Sequence, residues 1–99
     1  MNIHNKSTLI RFWKKHNQAK VPLETWYKIV ENVSWENTNE VKKIYGSADA
    51  IGNNRVVFNI KGNDYRLVAA FNFERQWVFI KFIGTHKEYD KIDAVTITI

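Results

Sequence analysis

The sequence predicts an α+β fold: an N-terminal helical pair plus a short third helix, packed on a twisted antiparallel three- to four-stranded sheet. Apolar residues recur at helical spacing between residues 7 and 33, then give way to β-branched and aromatic runs from Arg55 onward. The single proline, Pro22, and the four glycines, Gly46, Gly52, Gly62 and Gly84, all fall where one element should give way to another. With 99 residues, 44% hydrophobic and 14% aromatic, the chain suffices for one core and is too short for two, so residues 1–99 are expected to form a single domain.

In STLIRFWKKH, residues 7–16, Leu9, Phe12, Trp13 and His16 stand at i, i+3, i+4 and i+7 and make one face, with Arg11, Lys14 and Lys15 off it. Asn17 to Lys20 is polar and ends that helix, and Pro22 suits the first turn of the next. Leu23, Trp26, Val30 and Val33 continue the second helix to about residue 33. Residues 37–46 form the third, with Asn37 and Glu40 at the spacing of a capping pair and Gly46 as a left-handed stop. Residues 47–54 read as loop. RVVFNI (55–60), YRLVAAFNF (65–73) and WVFIKFIG (77–84) make a meander, turning at KGND with Gly62-Asn63 at its centre and again at ERQ. MNIH is a possible edge strand, and AVTITI (94–99) alternates like a strand that either pairs along a sheet edge or is disordered.

Strand alternation sorts the meander into two faces. Leu67, Ala69, Phe71 and Phe73 form the bulkier set and should meet the helices, so Arg66 points to the open face. Lys81 is expected to share a face with Trp77, Phe79 and Ile83, opposite Val78, Ile80 and Phe82. A lysine and an arginine in mid-strand are unusual. The plain reading is a solvated face or edge; the sharper one is a basic surface for phosphate. The four tryptophans, Trp13, Trp26, Trp35 and Trp77, read as core or partner-facing residues before base-stacking ones.

The most apolar run, WVFIKF, is followed by IGTHKEYD, residues 83–90. Thr85 and Glu88 have the spacing of a capping box, which explains those two residues and a last helical turn. It leaves His86, Tyr89 and Asp90, which in a helical turn share a face at i, i+3 and i+4. Cysteine is absent, excluding disulfides and thiolate metal sites, and His4, His16 and His86 lie on separate elements without ligand spacing. No metal or cofactor is expected, nor a hydrolytic triad, since no serine accompanies His86. No apolar run approaches the roughly 20 residues of a membrane span, and the N-terminus lacks a signal layout, so a cytoplasmic location without membrane contact is expected. Fifteen Lys and Arg against ten Asp and Glu leave a net charge of +5, which serves solubility or an anionic partner. A histidine, a tyrosine and strand-borne cations without a metal set suit RNA cleavage by its own 2′-hydroxyl. That reaction needs a base for the 2′-OH proton, an acid for the 5′ oxygen and cations for the phosphate. Histidine can serve either proton step and tyrosine can donate or stack on a base. On the residues alone, a structural His–Tyr pair is the plainer alternative.

FNIKGNDYRLVAAFNF followed by VFIKFIGTHKEYDKIDA closely resembles the HigB-type toxins of bacterial type II toxin–antitoxin modules, within the RelE/ParE superfamily. HNKSTLIRFWKKH, PLETWY and VKKIYGSADAIGNNRVVF are similar to that family as well, so the likeness spans nearly the whole chain. The resemblance implies a RelE-like toxin domain that is a metal-independent endoribonuclease, an mRNA interferase acting on the translating ribosome. Its implied partners are a HigA-type helix-turn-helix antitoxin, mRNA and the ribosome, with operator DNA reached only through the antitoxin. The family pattern matches at Arg66, Lys81, Thr85, His86, Tyr89 and Asp90. By that likeness Arg66 and Lys81 bind the scissile phosphate, His86 is general base or acid, Tyr89 gives the other proton contact or a stacking surface, and Asp90 orients His86 or Tyr89. Arg55, Lys61, Lys87 and Lys91 are candidate RNA- or ribosome-binding residues; each alone is a solvated charge, and together they imply salt-dependent binding. Two rival readings share the charge and the fold. A ParE-like toxin inhibits DNA gyrase without cleaving RNA, and a basic binding module uses THKEYD only as a cap.

Overall fold

In the computed structural model, which describes residues 1–99, the helical spacing gives α1 (Lys6–Lys15), α2 (Lys20–Glu31) and α3 (Thr38–Ile44). A 3₁₀ turn, Asn17–Ala19, fills the polar break between α1 and α2. Pro22 lies in the first turn of α2, where a backbone amide has no helical partner to lose. α2 stops at Glu31, short of the expected residue 33. The Met1 α-amino group donates there to the carbonyls of Val30, Glu31 and Val33 at 3.3, 3.1 and 2.8 Å, a cation at the negative end of the helix. Asn37 caps α3 as its spacing implied, its Oδ1 accepting from the Glu40 amide at 3.1 Å. Gly46 is not the left-handed stop: α3 ends on Tyr45 with φ −112°, and Gly62 is the glycine with positive φ.

The strands are β1 (Asn2–His4), β2 (Asp49–Ile51), β3 (Arg55–Ile60), β4 (Tyr65–Asn72) and β5 (Trp77–Thr85), in the order β1-β5-β4-β3-β2. The antiparallel meander β3-β4-β5 is as expected. The sheet is wider than predicted and mixed: β1 joins the edge parallel to β5, and β2 lies within the stretch expected to be loop. The β2–β3 connection uses Asn53 and Asn54 at φ 61° and 54°, a conformation asparagine tolerates better than most residues. In the β3–β4 turn the positive φ values fall on Lys61 and Gly62, one place earlier than the Gly62-Asn63 pair.

Helices cover one face of the sheet, where Leu9, Leu23, Trp26, Val30 and Val41 meet Val56, Phe58, Leu67, Ala69 and Ile80 in a core with little or no solvent exposure. Each large apolar side chain buried this way contributes about 1.5–3 kcal/mol. Trp35 is buried in this core and Trp13 half-buried against it. On β5 the register against β4 shifts: Val68 faces Phe82 while Ala69 faces Ile80, leaving Lys81 as the extra residue of a β-bulge. The bulge overturns part of the expected alternation. Ile83 joins Leu67 in the core, and Phe82 joins Val68 on the second face, with Trp77 and Phe79.

The second face can be read in rows across the sheet: Asn59, Arg66, Gly84; then Val57, Val68, Phe82; then Arg55, Ala70, Phe79, His4. The middle row is covered by the C-terminal segment, whose Ile92, Ala94 and Ile97 pack on Val57, Val68 and Phe82. That segment is neither an edge strand nor loose. It makes a turn, with the Thr96 and Ile97 amides both donating to the Asp93 carbonyl at 3.2 and 2.9 Å.

Candidate active site

The end of β5 and the helical turn that follows it, α4 (His86–Tyr89), bring the predicted residues together. Thr85 and Glu88 form the capping box read from their spacing: Thr85 Oγ1 accepts from the Glu88 amide at 3.2 Å, and Glu88 Oε1 accepts from the Thr85 amide at 2.8 Å. The His86 amide donates to the Asp64 carbonyl at 3.2 Å, tying α4 to the β3–β4 turn. Gly84 is not at an element boundary as expected; it lies within β5 beneath the Phe82 ring. A Cβ there would stand 2.5 Å from Phe82 Cζ and 3.1 Å from Glu88 Oε1, so only glycine leaves room for this packing.

His86 Nδ1 lies 3.2 Å from Asp90 Oδ2, one helical turn on, and both side chains are more than half exposed. Asp90 thus stands on the Nδ1 side of the ring, and Nε2 lies on the side away from it. Tyr89 is half-buried, its ring 6.4 Å from that of Phe82 and packed against the cluster under the C-terminal segment. Arg66 stands opposite Gly84 in the ladder, and its Nη1 donates to the carbonyls of Asn63 and Tyr65 at 3.2 and 3.4 Å. It forms no ion pair; those in the molecule are Lys61–Asp64 and His86–Asp90.

The remaining candidates separate. Lys81 projects from the bulge on the far side of the Val68–Phe82 row from Arg66, its Nζ 5.6 Å from the Phe79 ring centre. The two cations therefore do not share one concave row, as a single phosphate cradle would have them. Lys87 and Lys91 are exposed beside His86 and Asp90. Lys61 is exposed but paired, with Asp64 Oδ2 at 2.9 Å and Gln18 Oε1 at 3.0 Å. The Asp64 hydrogen bond and charge hold its ammonium above the usual lysine range. Arg55 requires a correction as a surface contact. It is 7% exposed, and its Nη1 donates to the carbonyls of Ala94 and Ile97 at 3.0 and 2.7 Å. It holds the C-terminal segment in place.

Sequence reasoning missed a groove of about 570 Å³ between α1 and the end of β5. Arg11, Lys14, Lys15 and His16 line it, with Ile83 and Glu88 from the other side. Its signal was available in the basic flank of the first helix, but which element that flank would face was not.

A mixed five-stranded sheet with helices on one face, an exposed His–Asp pair and an arginine without an ion-pair partner make this a small basic α+β protein. The family model "HigB_toxin, RelE-like toxic component of a toxin-antitoxin system" matches residues 19–92, and the chain belongs to that family. It is 26% identical over 94 residues to the mRNA interferase HigB of Escherichia coli O6:H1, spanning 93% of this chain and 91% of that protein. It is 32% identical over 84 residues to the mRNA interferase toxin HigB of Escherichia coli K12, spanning 83% of this chain and 81% of the relative. The mRNA interferase HigB of Shigella flexneri gives the same values.

Proposed function

We propose that this chain is the toxin of a type II toxin–antitoxin module and an endoribonuclease that cleaves mRNA on the translating ribosome. One observation carries the reading: the exposed His86–Asp90 pair, 3.2 Å apart, on a turn anchored beside Arg66. In the reaction the 2′-oxygen attacks phosphorus and the bond to the 5′ oxygen breaks, leaving a 2′,3′-cyclic phosphate and a 5′-hydroxyl. His86 exchanges the proton through Nε2, held by Asp90 at Nδ1. Tyr89 supplies the second proton contact or stacks on a neighbouring base. Arg66 stabilises the charge that develops on the phosphate oxygens, and Lys81 adds charge further along the strand. This chemistry needs no metal ion. The partners are a HigA-type antitoxin that neutralises the toxin and carries the operator contact, together with mRNA and the ribosome in the cytoplasm.

The test is expression of the parent, His86→Ala and Tyr89→Ala, with growth measured and cellular mRNA 5′ ends mapped by primer extension. The parent should arrest growth and create new 5′ ends, and both variants should lose them. Growth arrest with intact mRNA, unaffected by the two substitutions, would overturn the nuclease reading and favour a toxin of the gyrase-inhibiting kind.

A further inference from the structure

Of the fourteen Phe, Trp and Tyr residues, twelve pack into one of the two apolar clusters, and Trp77 and Phe79 into neither. Both are half-buried on the second face of β5, two residues apart, with ring centres 6.1 Å from each other. Their cross-strand neighbours on β4 are Asn72 and Ala70, whose side chains are too short to cover the rings from that strand. From β1, the exposed His4 stacks on Phe79 at 4.8 Å and meets Trp77 edge-on at 5.8 Å. A cation stands beside each of the two β5 rings: the Arg75 guanidinium 5.1 Å from the Trp77 ring, and Lys81 Nζ 5.6 Å from Phe79. Neither cation has an ion-pair partner, and the nearby Glu74 lines a different groove with Ser34 and Glu36.

Three aromatic rings clustered with centres within 6.1 Å of one another, beside two cations without ion-pair partners, match the parts of a single-strand platform, where bases stack on rings and phosphates meet cations. The strip leads through Lys81 toward the end of β5 that carries the candidate active site. We infer that His4, Trp77 and Phe79 form a base-stacking platform, flanked by Arg75 and Lys81, for the single-stranded RNA extending from the scissile phosphate. This rests on the ribonuclease reading, and it gives Lys81 a role apart from Arg66: holding the strand along the sheet.

The test uses the full chain and a fluorescein-labelled, fully 2′-O-methylated single-stranded RNA, which cannot be cleaved, with binding read by anisotropy. Trp77→Leu and Phe79→Leu keep apolar bulk but lose the π surface, and should each weaken binding about five- to hundredfold. Arg75→Gln, an exposed change that cannot disturb the core, should lower the slope of log affinity against log salt by about 0.7. Melting temperatures of all three are measured alongside. Equal binding by parent and variants, or none by the parent, overturns the platform. So does unchanged RNA binding with lost binding to the antitoxin, which would make the strip a protein-docking surface. Cleavage of cellular mRNA by the parent is scored separately, so loss of the platform and loss of the ribonuclease reading give different results.

Discussion

At the scale of single residues, two positions show how much the site depends on packing out of sight of the chemistry. Gly84 leaves room for the Phe82 ring, which in turn lies beside Tyr89. Gly84→Ala forces that ring aside and should cost about 1–3 kcal/mol by chemical denaturation, with slower cleavage because Tyr89 loses its support. Arg55→Met keeps the bulk but removes two hydrogen bonds from a charged donor to the Ala94 and Ile97 carbonyls. It should cost about 2–3 kcal/mol and speed amide hydrogen exchange in residues 93–97. Arg55 was not legible in the sequence as a clamp. An arginine at the start of a strand reads as solvated, and its partners lie 39 and 42 residues away. His86, Asp90 and the capping box were legible because they depend only on spacing within one turn.

At the scale of elements, α4 has four residues and stands on its cap. Thr85→Ala removes the acceptor for the Glu88 amide, worth about 1 kcal/mol, and should lower cleavage although Thr85 is assigned no proton. An unaltered rate with a lowered melting temperature would separate the cap from the chemistry. After α3, Tyr45 packs its ring against Phe58 and Trp35, and burial pushes its phenol above the usual range. Burial, and secondarily the charge of Glu31, raises Tyr27 too. The folded state therefore keeps protons that the unfolded chain releases near pH 10. This contribution is complete below that pH and is lost as pH rises through the folded-state values. Stability should fall above about pH 10, and Tyr45→Phe should flatten the fall in denaturation midpoints measured against pH. The helices, the meander and its helix-facing side were readable from period alone. β2 was not: it has three residues, two of them exposed, and exists through pairing with β3. The bulge at Lys81 escaped notice because one inserted residue leaves no mark on local composition, yet it exchanges the faces of Phe82 and Ile83.

At the scale of the whole molecule, seven of the fifteen Lys and Arg residues fall on three surfaces with separate geometry. These are the α1 groove with Arg11, Lys14 and Lys15, the end of the sheet with Arg66 and Lys87, and the Arg75–Lys81 strip. Association with ribosomes should therefore weaken steeply with salt, by an amount that scales with the phosphates contacted. Reversing Lys14 and Lys15 to glutamate should reduce it in sedimentation assays without touching His86. The central claim is that RNA itself supplies the nucleophile at the His86–Asp90 site. The most direct measurement adds purified protein to ribosomes programmed with a defined mRNA, maps the cut, and repeats the assay with one 2′-deoxynucleotide on its 5′ side. The account predicts a 2′,3′-cyclic phosphate in the first case and loss of that single cut in the second. Cleavage at an unchanged rate in the deoxy-substituted message would contradict it.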